Sequence, residues 1–350
     1  MTEIPAVSII VPVRNRARLL AECLDSVAAQ AVDRWECLIV DDGSDDDSPA
    51  VAADYSARDA RFHALTRSGS RGGAAAARNQ GLAQSRGDFV IFLDSDDLLA
   101  PDCLEGRLAF VGGGDAPELS VFPTLTFQTR PGDRDILWNI DKDVPDLLRL
   151  LRLDIPWSTT ASFWRADTIR RIGGFAESLP GWQDWQVHIV AMLEGVRAVR
   201  DSRRPDSYWR AHGEGQISDQ AEKPSHIAAK TDYLMQLLEK YRAQLTGDPA
   251  LQAASAGLLW YQLVQLERAG RLLPALRHWG RGRRLGYLGA KHWCEGAAAL
   301  ALHGWPGGRV AWSAVAGWSE DAVGRFDRST CHLVSVSEAF PDWRLSQRFA

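Results

Sequence analysis

Three carboxylates within four residues, Asp94, Asp96 and Asp97 around Ser95, follow directly on the apolar run Phe89-Val90-Ile91-Phe92-Leu93. Such a run reads as a buried strand, and in open α/β sheets ligands bind in the crevice at the carboxyl ends of the strands. Carboxylates this close repel one another unless a cation, a hydrogen-bond network or open water compensates. Hard oxygen ligands suit Mg²⁺ or Mn²⁺, and Mg²⁺ takes one or two protein carboxylates and fills its shell with water and substrate phosphates. The same residues would also serve as a solvated acidic turn or helix cap, where Asp is favoured. On this stretch alone a metal site and a plain turn are both open.

Two further stretches carry chemistry of the same kind. Asp41-Asp42-Gly43-Ser44 ends the apolar run Cys37-Leu38-Ile39-Val40, where a carboxylate can accept hydrogen bonds from a base N–H or a ribose hydroxyl; a helix N-cap turn is the other reading. Gly72-Gly73 feeds a helical pattern running through Arg78, Asn79 and Gly81, and a helix N-terminus is a natural seat for anionic groups. The loop is no P-loop, because no Gly-Lys-Ser or Gly-Lys-Thr follows. The first strand is not followed by G-x-G-x-x-G, so dinucleotide binding is disfavoured as well.

The elements that must position these residues alternate in type. Strands are expected over Val7 to Val13, Trp35 to Val40, Phe62 to Leu65 and Phe89 to Leu93, with helices over about Ala17 to Gln30, Ser48 to Asp59 and Gly73 to Ser85. Short β-rich runs separated by helical patterns read as βαβ units and a parallel sheet. A strand over Leu119 to Phe127 lies between two Gly- and Pro-containing turns, and helices follow near Val144 to Arg152, Asp167 to Ile172 and Asp184 to Glu194. This second half is expected to continue the same sheet. From about Ser225 to Ala301 the pattern is helical, with a break at Thr246-Gly247-Asp248-Pro249.

Composition narrows the class. The 350 residues, 45% hydrophobic and 24% charged, are those of a globular chain larger than one ordinary domain. A net charge of -5 argues against a dedicated nucleic-acid binder. Five cysteines without C-x-x-C spacing suggest neither a zinc site nor a disulfide framework. The N-terminus lacks the basic region of a signal peptide and no apolar run is long enough to span a membrane, so a cytoplasmic location is expected. Toward the C-terminus Arg268, Arg271, Arg277, Arg281, Arg283, Arg284 and Lys291 lie among Leu, Trp and Tyr. That surface is either a solvated helix face or one that rests peripherally on an anionic membrane.

Taken in order, the blocks resemble a known family. Val7-Ser8-Ile9-Ile10-Val11-Pro12-Val13-Arg14-Asn15, then Leu38-Ile39-Val40-Asp41-Asp42-Gly43-Ser44, then Ala77-Arg78-Asn79-Gln80-Gly81-Leu82, then Arg86-Gly87-Asp88 and Leu93-Asp94-Ser95-Asp96-Asp97 are similar to the family 2 glycosyltransferases of GT-A fold. The resemblance covers roughly residues 5 to 220. It implies a Rossmann-like, mixed but mainly parallel sheet flanked by helices, in a GT-A domain over 1-222, with a nucleotide half to about 110 and an acceptor half beyond. A helical C-terminal region over 223-350 would follow. It further implies transfer, with inversion, from a nucleoside diphosphate sugar, usually a UDP or dTDP sugar, to a hydroxyl of a glycan or lipid-linked acceptor.

The resemblance also implies roles. Pro12, Arg14, Asp41 or Asp42, Arg78 and Asn79 would border the nucleotide sugar. Asp94 and Asp96 match the D-x-D pattern, in which Asp96 would bind Mg²⁺ or Mn²⁺ directly and Asp94 would hold ribose, with Ser95 between them and Asp97 in support. Inversion in one displacement needs a base opposite the leaving group, and the family uses the Asp of a Glu-Asp pair after a Gly-Gly-Phe turn. Here Gly173-Gly174-Phe175 precedes Trp182-Gln183-Asp184-Trp185, so Asp184 is the expected base, while Gln183 departs from the usual Glu. Tyr208-Trp209-Arg210-Ala211-His212 resembles the loop over the diphosphate, with Arg210 as a phosphate partner and His212 near the metal or diphosphate. Trp182 and Trp185 flank the base and are candidates for acceptor contacts, although core packing suits tryptophan equally. An inactive nucleotide-sugar binding module competes with this reading. A sugar nucleotidyltransferase fits less well, because Pro12-Val13-Arg14-Asn15-Arg16 lacks the glycines of a phosphate-gripping loop.

Overall fold

The computed structural model describes residues 4–68, 72–114, 116–138, 141–201, 204–211, 223–302 and 334–335. The first hundred residues run β1 (Val7–Val13), α1 (Ala17–Ala28), β2 (Trp35–Asp41), α2 (Ser48–Arg58), β3 (Phe62–Thr66), α3 (Ala74–Gln84) and β4 (Phe89–Phe92). β1 pairs in parallel with β2 and β4, and β2 with β3. Every residue of β1 and β2 is buried, as parallel strands covered by helices on both faces must be. Alternation sorts the side chains of β1: Val7, Ile9, Val11 and Val13 pack with Leu20, Cys23, Leu24 and Val27 of α1, while Ile10 joins Ala75, Leu82 and Phe92 on the other face. α3 lies so close to β1 that a Cβ at Gly81 would come within 2.4 Å of Ile10 Cγ2, which is why glycine stands there.

The second half adds β5 (Leu98–Leu99), α4 (Cys103–Val111), β6 (Leu119–Val121), β7 (Thr124–Phe127), β8 (Ile136–Leu137), α5 (Asp146–Leu151), β9 (Ser162–Arg165), α6 (Ala166–Arg171), α7 (Gln183–Leu193), β10 (Ala198–Arg200) and β11 (Ser207–Arg210). The main sheet has the order β10-β6-β9-β4-β1-β2-β3, mixed but mainly parallel, with β9 antiparallel to β4 and β6. This is a GT-A type fold. Two expectations need correction. The strand expected over Leu119 to Phe127 is two strands, interrupted at Phe122-Pro123, where proline supplies no N–H to a ladder. The second half also does not continue a single sheet: β7, β8, β11, β5 and β12 (Val334–Ser335) form a second, five-stranded sheet.

The Arg86-Gly87-Asp88 block serves the fold from the amino ends of the strands, away from the crevice. Glu36, buried in β2, accepts from the Ser8 hydroxyl at 2.7 Å and from the Arg86 backbone N–H at 2.6 Å, and Gly87 N–H donates to Ser8 Oγ at 2.8 Å.

The C-terminal helices are α8 (Pro224–Lys240), α9 (Arg242–Gly247), α10 (Pro249–Arg268), α11 (Leu272–Arg284) and α12 (Ala290–Leu302). Breaks beyond the one expected at 246–249 fall at Tyr241, between α8 and α9, and near Gly270 (φ 77°) and Gly286 (φ 90°), left-handed positions that end helices. These helices share one apolar core with α5 and α7: Leu234, Leu238, Leu258, Leu263 and Trp279 cluster with Leu150, Leu151, Trp185 and Ile189. The helical region thus buttresses the helix that carries Asp184. No described helix is long and apolar enough to cross a membrane.

Candidate active site

The crevice lies at the carboxyl ends of β1, β2 and β4. Pro12 and Val13 pair with Val40 and Asp41, which brings the loops after β1 and β2 side by side. Asn15, left-handed at φ 52°, staples them: its backbone N–H donates to Ser44 Oγ at 2.9 Å, and its side-chain oxygen accepts from Asp45 N–H at 2.7 Å. Arg14 is exposed beside them and Pro12 is buried. Asp41 accepts from the N–H groups of Gly43 and Ser44, each at 3.1 Å, closing its own turn. Asp42 pairs with Arg67 and accepts from Gly73 N–H at 2.7 Å, so it ties the end of β3 and the start of α3 to β2.

The acidic loop assigns each carboxylate a different partner. Asp94 is ion-paired with Arg78. Asp96, its side chain 21% exposed, has Arg16 at 3.8 Å. Asp97 is 1% exposed and accepts from the Arg210 backbone N–H at 2.9 Å and the Thr160 hydroxyl at 3.2 Å. Burial, then the neighbouring charges of Asp96 and Asp94, pushes the Asp97 carboxyl well above the usual carboxylate range. Ser95 is buried between Asp94 and Asp96. Arg210 braces this loop from β11: Nε donates to the Asp96 carbonyl at 2.8 Å, Nη2 bonds Glu22 at 2.6 Å, and the guanidinium lies 4.4 Å from the Phe127 ring centre.

This donor set fits a hard divalent cation. Asp94 and Asp96 keep partly exposed carboxylates, whereas Asp97 is enclosed and hydrogen-bonded. Among the described residues no group of three or more His, Cys, Asp or Glu side chains is arranged to hold a metal alone. One or two carboxylates are what Mg²⁺ commonly takes from protein when substrate phosphates complete its shell. His212 lies outside the described residues.

On the opposite side, α7 begins at Gln183 after Gly181 (φ 82°) and Trp182 (φ 56°). Asp184, in its first turn, accepts a hydrogen bond from the Thr159 hydroxyl. Thr160, the next residue, bonds Asp97, so one polar turn touches both acids. Arg78, 4% exposed, bonds Asp94 through Nη2 and the Gln183 side-chain oxygen through Nη1, 5.2 Å from the centre of the Phe175 ring. Burial opposes its charge, but Asp94 and then Asp184 outweigh that and hold its pKa above the ordinary arginine value.

The structure therefore joins Arg78, Asp94 and Gln183 in one hydrogen-bonded set, with Asp97 and Asp184 held beside it by the adjacent hydroxyls of Thr160 and Thr159. Other expected residues sit differently. Asn79 is tied into the Gly-Gly-Phe turn: Nδ2 donates to the Phe175 carbonyl at 2.8 Å and to Glu177 at 2.9 Å, and Oδ1 accepts from Phe175 N–H at 2.9 Å. Trp185 is 1% exposed in the core shared with the C-terminal helices, its indole N–H donating to the Leu150 carbonyl at 2.8 Å. Trp182 is only partly buried, 4.9 Å from the Trp185 ring and 5.5 Å from the Lys230 ammonium. Sequence reasoning missed Arg67, Thr159 and Thr160. An arginine just past a strand end beside Asp41-Asp42 was a usable signal for Arg67; the polar run Ser158-Thr159-Thr160 offered little.

Comparison with known proteins agrees with this architecture. EpsH of Bacillus subtilis (strain 168) is 41% identical over 110 residues, 31% of each chain. The O-antigen biosynthesis protein RfbC of Myxococcus xanthus is 36% identical over 186 residues, 51% of this chain and 14% of that one. The chain thus spans about a third or less of these curated relatives. The crystal structure of S. aureus TarS 1-349 in complex with UDP-GlcNAc has a similar fold, with a TM-score of 0.55 at 19% identity over 86% of this chain and 93% of that one. The sequence model described as Glycosyl transferase family 2 matches residues 8–143. Over residues 8–143, this chain is similar to glycosyl transferase family 2.

Proposed function

We propose that this chain transfers a sugar, with inversion, from a nucleoside diphosphate sugar to a hydroxyl of a glycan or lipid-linked acceptor in envelope polysaccharide synthesis. The observation that carries the reading is the convergence of two acidic sites on one crevice, with Asp97 and Asp184 held by the adjacent hydroxyls of Thr160 and Thr159. A UDP or dTDP sugar is the favoured donor, in keeping with the UDP-GlcNAc complex of TarS. The glycan acceptor is in keeping with the O-antigen role of RfbC.

In this reading the loops after β1 and β2, shaped by Asp41, Asp42 and Arg67, receive the nucleoside. Asp94 orients ribose while anchored by Arg78, and Asp96, with Asp94 near it, would hold Mg²⁺ or Mn²⁺. Such an ion supplies Lewis-acid stabilisation of the negative charge that collects on a departing diphosphate. Asp184 takes the proton of the acceptor hydroxyl as its oxygen attacks the anomeric carbon from the face opposite the leaving group. Thr159 keeps the accepting carboxylate in one orientation. Trp182, partly open beside Asp184, offers an aromatic face to the acceptor.

Asp184→Asn tests this directly. Transfer measured with a panel of UDP, dTDP and GDP sugars and Mn²⁺ should fall by ~10² to 10⁴, with UDP affinity retained by calorimetry. Near-normal turnover would sink the assignment of the base. Peripheral attachment to the cytoplasmic face of a membrane extends the reading, since Arg271, Arg277, Arg283, Arg284 and Lys291 are exposed, as is Leu273 at 66%. Vesicle flotation that requires anionic lipid would support it.

A further inference from the structure

Gln183 stands where the family resemblance would put a Glu, immediately before Asp184, and the crevice explains what a neutral side chain does there. Its amide oxygen accepts from Nη1 of Arg78, whose Nη2 bonds Asp94. The rest of Arg78 has little freedom: the side chain is buried, its guanidinium lies against Phe175, and its Nε has no hydrogen-bond partner. One enclosed guanidinium therefore spans from the end of β4 to the first residue of α7. The geometry points to Gln183 as a positioning residue for transfer: through Arg78 it registers α7, and with it Asp184, on the acidic loop without placing a second carboxylate beside the base. This rests on the reading of Asp184 as the base.

The chemistry distinguishes Gln from both alternatives. Alanine at 183 would leave Nη1 of a buried cation unbonded and remove the direct Arg78 link between α7 and the acidic loop, leaving only the Thr159-Thr160 turn, and hydrogen bonds to charged groups are among the costlier ones to lose. Glutamate would keep the bond to Arg78 but add a like charge next to Asp184, which raises the pKa of a carboxyl group. Other charged or titratable groups near Asp184 are Arg78 from α3 with its partner Asp94, Asp97 across the Thr159-Thr160 turn, Lys230 from α8 beside Gly181 and Trp182, and His188 one turn further along α7. His188 is enclosed and held neutral, its pKa lowered to about 3.

Three proteins test this: wild type, Gln183→Ala and Gln183→Glu, each measured for kcat, KM, UDP affinity and hydrogen exchange. The Ala variant is expected to lose about tenfold in kcat, to keep its UDP affinity within about twofold, and to lose protection at the α7 amides that follow residue 183. The Glu variant should recover kcat on the plateau of the pH profile while its acid limb moves to higher pH. Unchanged kcat and protection in the Ala variant would overturn the inference. So would UDP affinity falling in step with kcat, or a Glu variant as impaired as Ala. Should the wild-type chain transfer no sugar, the proposed activity fails separately, and exchange protection alone then decides whether Gln183 holds α7.

Discussion

Replacing Asn79 by Ala separates a residue that holds the site's frame from one that touches the nucleotide. The resemblance implies that Asn79 lines the nucleotide pocket, yet its amide makes three hydrogen bonds to the 173–177 turn, two of them to the backbone of Phe175. A Cβ at Gly174 would lie 2.6 Å from Asn79 Oδ1, so turn and side chain meet at close range. The Ala variant strips a donor and an acceptor from partly buried backbone groups. At about 1 kcal/mol for each of the two backbone bonds lost, and up to about 2 kcal/mol more where the orphaned Phe175 groups stay poorly hydrated, the loss is about 2–4 kcal/mol. That is a large part of a typical stability of about 5–15 kcal/mol. Urea unfolding followed by fluorescence should show the midpoint moving down, while the folded variant binds UDP within about threefold of wild type. Asn79→Asp should be destabilised too, because its carboxylate would face the Phe175 carbonyl and Glu177. Wild-type stability combined with a loss of tenfold or more in UDP affinity would refute the frame-holding role and restore Asn79 to the pocket.

Trp185→Phe should cost about 2–3 kcal/mol of stability, from lost indole volume and the lost indole N–H bond to the Leu150 carbonyl, without changing acceptor KM in the folded fraction. Trp182→Ala should do the reverse, raising acceptor KM with little change in the urea midpoint; equal effects from both would deny them separate roles. His188, buried among Trp157, Trp164 and Ser162, has its pKa lowered by burial to about 3. Below its unfolded value of about 6.5 the unfolded chain binds a proton that the folded chain refuses, so this group's contribution costs up to about 1.4 kcal/mol of stability per pH unit down to about pH 3. His188→Gln should flatten the stability profile between pH 6 and pH 4 by about that slope, and parallel profiles would mean that the imidazole charges in place.

The sequence carried the main sheet because β1, β2 and β4 are largely buried apolar runs long enough to show their type, and the first four strands each deliver polar residues to the same edge. It did not carry the second sheet: β5, β8 and β12 are two residues long, too short for alternation to register, and they exist only through pairing with distant partners. The same reason limits the site. A motif records which side chains reach the crevice but not which groups neutralise them. Asp42 draws Arg67, Asp94 draws Arg78, and Asp97 draws Thr160 and the backbone of Arg210, across separations from 16 to 113 residues. Three acids of one loop consequently acquire three electrostatic settings: Asp94 paired with a buried guanidinium, Asp97 enclosed with its proton affinity raised, and Asp96 partly exposed with Arg16 nearby. A cation that brings its own phosphate oxygens needs a carboxylate already accessible, because extracting Asp97 would break two hydrogen bonds and freeing Asp94 would strand Arg78. In the proposed reading, Asp96 as the direct ligand therefore leaves the Asp94–Arg78 pair and the two hydrogen bonds of Asp97 intact.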